Sequence, residues 1–201
     1  MQNIIILFFY FFISFSASAD VTLDIIDLHG KITRITNTIN YNKEGIESAI
    51  FPSKGYKSFN KSLKVISAFE MNTEQEIDTK IIEYNDKNYK SIELSFPNPI
   101  PKGGNYKIKL SVEGVTKNIT QDKDGRYVFK YSTSGEVFFV LPEGHAIVYS
   151  NYPVLVYEKK KRTVVQIKGK NNKNIIIKSR AFSNIQDSVL KMINNVKDEY
   201  L

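Results

Sequence analysis

Between residues 21 and 181, apolar and polar residues alternate in short runs that Gly, Pro, Asn or Asp repeatedly interrupts. A period of two puts every second side chain on one face of an extended chain, so the pattern specifies half-buried β-strands. It predicts strands over 21–28 and 32–41, turning at His29-Gly30-Lys31, with Ile35, Ile39 and Tyr41 on one face. Residues 63–71 form a further strand. Residues 77–84 and 89–96 form a hairpin around Asn85-Asp86-Lys87-Asn88, with Ile92, Leu94 and Phe96 facing inward. Residues 42–60 carry Gly45, Pro52 and Gly55 and read as loop with short extended pieces. Pro97, Pro99, Pro101, Gly103 and Gly104 break the pattern again before Tyr106, Ile108, Leu110 and Val112 resume it.

The second half is richer in aromatics. Strands are expected over 127–131, 137–141 and 146–149, then a hairpin of 154–157 with 163–167, and a last strand from Ile175. Roughly ten to twelve strands at regular turn spacing imply a mainly β fold, an antiparallel, immunoglobulin-like β-sandwich over residues 20–181. The ending has another period. Ile185, Val189, Met192, Ile193, Val196 and Tyr200 share one helical face, and Ser183 with Gln186 fits a capping box. Residues 182–201 are therefore expected to form an amphipathic helix that covers an open face of the sheet.

Ahead of this domain, residues 4–15 are almost all Ile, Leu, Phe and Tyr, followed by Ala17-Ser18-Ala19. An apolar run of that length before small residues has the layout of a secretory signal peptide over residues 1–19. A spanning helix needs roughly 18–20 apolar residues, and no second apolar run follows, so no transmembrane helix is expected after processing. The absence of Lys or Arg before the run departs from the usual pattern and keeps a retained anchor as the alternative. The expected location is periplasmic or secreted. The chain has no Cys, which excludes disulfides and a cysteine-linked lipid and leaves an apolar core to hold the fold.

The net charge of +7 is local. Glu158 to Arg180 holds nine basic residues against one acid, and the rest of the chain has 19 basic and 20 acidic residues. Such a stretch suits an anionic partner: phospholipid headgroups, an acidic glycan or an acidic protein face. Export removes nucleic acid from consideration. Solvated lysines guarding a sheet edge are the structural alternative. Tyr149 and Tyr152 lie close by in sequence, with His145 after the Pro142-Glu143-Gly144 break, so the candidate partner surface is Lys159, Lys160, Lys161, Arg162, Tyr149, Tyr152 and His145.

Chemistry has few carriers. His29 and His145 are the two histidines, and the nucleophile elbow, zinc-protease and phosphate-loop motifs are all missing. Asp122-Lys123-Asp124-Gly125 is a fragment of a calcium loop without its first and last carboxylates and reads as a turn. No catalytic, metal or cofactor-binding residue is assigned, and no cofactor is expected.

Residues 99–110, Pro-Ile-Pro-Lys-Gly-Gly-Asn-Tyr-Lys-Ile-Lys-Leu, together with the later strand 137–141 and Pro142, are similar to extracytoplasmic β-sandwich modules. These are the modules of ribophorin I and of the N-terminal domains of zinc aminopeptidases. The resemblance implies a sandwich module and carries over no functional residue, because the zinc-binding motif of such peptidases is absent. The expected function is a non-enzymatic binding or scaffold module at the cell envelope, its basic hairpin (158–180) facing an envelope protein or an anionic membrane or glycan surface. The alternatives are a carrier of small apolar ligands with the C-terminal helix as lid, and an exported hydrolase using His29 or His145.

Overall fold

The computed structural model describes residues 19–183 apart from 42–43, 57–58, 60–61, 85–89, 103–105, 134 and 170–171. Fourteen strands are formed among them. In the first half they are β1 (Ala19–Asp27), β2 (Ile32–Tyr41), β3 (Ser48–Tyr56), β4 (Lys64–Glu70), β5 (Asp78–Glu83), β6 (Lys90–Ser95) and β7 (Tyr106–Val115). The second half supplies β8 (Ile119–Gln121), β9 (Tyr127–Thr133), β10 (Val137–Val140), β11 (His145–Ser150), β12 (Leu155–Lys159), β13 (Arg162–Ile167) and β14 (Asn172–Ala181). They build a seven-stranded sheet in the order β12-β13-β10-β1-β2-β7-β4, a four-stranded sheet β11-β14-β9-β8 and a three-stranded sheet β3-β6-β5.

Alternation sets the inward faces as the period-two rule requires. Along β2 every second residue is buried, from Thr33 through Ile35, Asn37 and Ile39 to Tyr41. One apolar cluster draws on all three sheets: Leu23, Ile39, Leu110 and Phe139 from the largest, Phe129 and Ile175 from the second, Ile92 and Leu94 from the third. Two polar side chains sit among them. Asn37 donates to the Tyr56 hydroxyl at 3.1 Å, which keeps a buried amide satisfied. Thr33 borders a cavity of about 20 Å³, roughly the space of one water, between β1–β2 and β8–β9.

Two expectations need correction. The sheets are not wholly antiparallel, since β1 runs parallel to β10 with Val21 opposite Val137 and Leu23 opposite Phe139. Two strands are added to the expected twelve. β3 lies in the stretch read as loop and tolerates Pro52 because it is an edge strand whose register shifts between Phe51 and Tyr56. β8 is three residues long, too short for alternation to show. The expected C-terminal helix lies, beyond Ser183, outside the described residues, as does the leader before Ala19.

Candidate functional site

The basic stretch divides between two sheets. β12 and β13 form a hairpin at the end of the seven-stranded sheet, whereas β14, with Lys173, Lys178 and Arg180, belongs to the four-stranded sheet. The single basic hairpin expected over 158–180 is therefore a hairpin plus a strand of another layer. Lys159 and Arg162 pair across a two-residue turn in which Lys160 and Lys161 both have positive φ, 52° and 61°. These are the angles of a type I′ turn, whose twist matches the flanking strands. Asn-Gly is the usual sequence there. Holding two lysines in the left-handed region costs about 1 kcal/mol or more each.

The basic residues differ sharply in what they touch. Arg162 turns inward, its Nε donating to Leu141 O at 2.8 Å and Nη2 to Ile25 O at 2.9 Å and Val140 O at 3.2 Å. Asp24 Oδ1 lies 2.7 Å from Nη2, a charge contact outside hydrogen-bond alignment. Lys178 pairs with Asp122 at 3.2 Å, and Arg180 donates to Asp124 O at 2.8 Å. Lys159, Lys160 and Lys161 are exposed and form no ion pair among the described residues. The tip is thus three uncommitted cations, and the fourth member of the run is a structural clamp.

The other predicted residues run along β11. His145 sits at the tip end, where Thr163 Oγ1 donates to its carbonyl at 2.7 Å. Its ring packs edge-on against Tyr127 (5.8 Å between centroids), whose other side meets His29 at 6.1 Å. Burial, and then the charge of His29, hold the His145 pKa below its ordinary value. Tyr149 lies under Lys178, the ammonium 5.5 Å from the ring centre. Tyr152, at the far end, donates its hydroxyl to Lys173 O at 2.8 Å and accepts from Lys173 N at 3.2 Å. His145 is therefore near the lysine tip, while Tyr149 and Tyr152 engage β14. Sequence reasoning placed both histidines in turns but had no signal for their meeting at Tyr127, which joins residues 98 and 18 positions away.

The outer strand of the hairpin carries an apolar feature that composition did not reveal. All five residues of β12 are exposed, with Leu155, Val156 and Tyr157 at 50%, 49% and 42%. On β13, Val165 and Val164, the partners of Val156 and Tyr157, are buried, and Gln166 opposite Leu155 is half-buried. Exposure begins abruptly at the last strand.

The calcium-loop fragment is a closed turn. Asp122 accepts from the Arg126 amide at 3.0 Å and its guanidinium at 2.9 Å, and Lys178 reaches the same carboxylate. Partial loss of water raises the Asp122 pKa, but these donors outweigh it and bring the value down to about 2. Among the described residues no three His, Asp or Glu side chains group as metal ligands do, and no helix is long and apolar enough to cross a membrane.

No family model and no curated protein matches the chain. Among solved structures, it is similar to a mutant M1 zinc metallopeptidase from Deinococcus radiodurans bound to a Tyr-Ser-Ala substrate: 9% identity, 80% of this chain, TM-score 0.50. A second structure of the M1 zinc metallopeptidase from that organism gives 10% identity over 80% of this chain, with a TM-score of 0.48. The chain spans 41% of the length of the first and 40% of the second. At such identity the likeness is one of fold: a mainly β protein with the architecture of part of a zinc metallopeptidase. It agrees with the kind of module that residues 99–110 resemble.

Proposed function

We propose that the protein is an exported, non-enzymatic β-sandwich module that binds or scaffolds an anionic partner at the cell envelope through the tip of the β12–β13 hairpin. The observation that carries this reading is the tip itself: three adjacent exposed lysines without an ion pair among the described residues, on a turn whose positive φ angles disfavour lysine. The likeness to part of a metallopeptidase supports a sandwich corresponding to a non-catalytic N-terminal module.

Each Lys near an anionic surface contributes about 1 kcal/mol at moderate salt, so three contribute about a hundredfold in affinity. Retention of the protein on isolated envelope and on phosphatidylglycerol vesicles is the measurement. The triple variant Lys159→Glu, Lys160→Glu, Lys161→Glu should lose most of it, and salt should erase the wild-type advantage as the screening length shrinks below about 10 Å. Equal retention of variant and wild type on both supports overturns the reading.

A further inference from the structure

Six strands end the three sheets, and five of them carry a device against further pairing. Register shifts interrupt β3, β4 and β11, β8 has only three residues, and β5 carries Asp78, Lys80 and Glu83. Such shifts, short lengths and charges are how open edges are protected. β12 differs. Its register against β13 runs unshifted from Leu155 to Lys159, three successive apolar residues stand exposed, and charge is confined to its tip end.

The turn fixes which backbone groups face out. Residues flanking a two-residue type I′ turn are hydrogen-bonded to each other, so Lys159 and Arg162 form a bonded pair. Bonded and non-bonded pairs then alternate along an antiparallel ladder. Tyr157 and Leu155 accordingly direct their N–H and C=O groups at β13. Val156 and Glu158 direct theirs away from it, into the open edge.

We infer that β12 is a docking edge that takes up an extended segment of a partner protein as an eighth strand of the seven-stranded sheet. The segment's apolar residues cover Leu155 and Tyr157 on one face and Val156 on the other, and its acidic residues meet Lys159, Lys160 and Lys161. This deepens the proposed function and rests on it. Charge selects the occupant: a second copy of this chain, paired antiparallel, would leave both lysine tips without counter-ions, whereas an acidic segment neutralises them.

The probe is a fluorescent peptide of alternating valine and threonine ended by glutamates, compared with phosphatidylglycerol vesicles. Glu158→Pro removes an outward N–H and leaves the β13 ladder intact, since an edge strand tolerates Pro where the missing donor faces solvent. It also deletes a negative charge, so simple electrostatics predicts tighter peptide binding. Strand addition predicts the opposite, a loss of about tenfold, with vesicle retention undiminished. Val156→Pro carries the same prediction from the other outward position, and thermal melts establish that each variant folds. Independently of any variant, the Val156 and Glu158 amides of the wild type should exchange fast alone and slowly with peptide bound. Unchanged or tighter peptide binding by a folded proline variant overturns the inference. So does wild-type binding to vesicles but not peptide, or saturating peptide that leaves both amides unprotected. Charge reversal that leaves envelope and vesicle retention intact defeats the underlying function instead.

Discussion

Arg162 follows three solvated lysines directly in sequence, yet its guanidinium reaches the ends of β1 and β10 and binds three carbonyl oxygens there. Nothing in a Lys-Lys-Lys-Arg run distinguishes the clamp from the tip; only the turn, which sends residue 162 back into the sheet, does so. Hydrogen bonds to a charged group are each worth about 1.5–3 kcal/mol, and part of that is offset when water replaces them at this half-buried position. Arg162→Ala should therefore lower stability by about 2–3 kcal/mol in urea unfolding, and Arg162→Lys, which lacks the planar fork, by about 1–2 kcal/mol. The three tip lysines, substituted singly, should each change it by less than about 0.5 kcal/mol. His145 makes a prediction of another kind. Its pKa is lowered in the folded state by burial and by His29, so below the ordinary value of 6.5 the unfolded chain binds the extra proton more readily. Stability should be fully present above pH 6.5 and decline as pH falls from there to the folded pKa, then level off. His145→Gln should flatten the melting temperature across that window; an unchanged slope would show that the decline comes from other groups.

At the scale of elements, the strands that pack on both sides were legible and the irregular ones were not. Alternation in 32–41 and 106–112 is clean because each has one face in the core, and they appear as β2 and β7, whereas in β13 the adjacent Val164 and Val165 are both buried. The 77–96 hairpin is observed as β5 and β6 in antiparallel register. β3 was hidden by Pro52 and Gly55, residues that an edge accepts and a central strand does not. The pairing of β1 with β10 was hidden for a different reason: residues 21 and 137 are brought together by the whole chain, and period two says which face is buried but never which strand is the neighbour. Gly114 belongs to this scale as well. It ends the buried part of β7 where Phe59 and Ser62 approach it; a Cβ there would stand 3.1 Å from the Ser62 carbonyl oxygen and 3.2 Å from the Phe59 ring. The backbone cannot retreat without disturbing the Ser62 hydroxyl that accepts from Val115 N at 2.8 Å. Gly114→Ala should cost about 1–3 kcal/mol by overpacking, read as a lower denaturation midpoint with an unchanged slope. Gly45, with nothing within 4 Å of a built Cβ, is limited by its φ of 72° instead, so Gly45→Asn should be milder than Gly45→Val.

For the whole molecule, the question is what the proposed leader contributes. The apolar cluster among the described residues begins at Val21, and the parallel ladder with β10 begins at the same residue. Cleavage after Ala19 would remove one ladder position, the Ala19–Ile39 pair, and leave Asp20 opposite Thr38 as the first residue of β1. Cleavage at the proposed site would thus leave the described apolar core whole, which is what the proposed export requires. One terminal strand pair is worth at most about 1 kcal/mol, equivalent to about 2–4 °C in a domain of this size. A chain starting at Asp20 should therefore melt within about that interval of the uncleaved chain. With no Cys in the sequence, reductant should leave the melt unmoved. Intact mass of the protein recovered from envelope and medium supplies the complementary measurement and should correspond to a chain beginning at Asp20. Recovery in the membrane with Met1 still present would make the leader an anchor and move the lysine tip onto a tethered molecule. A drop in melting temperature well beyond that interval would make residues before Asp20 part of the fold, and export by cleavage would then fail on physical grounds.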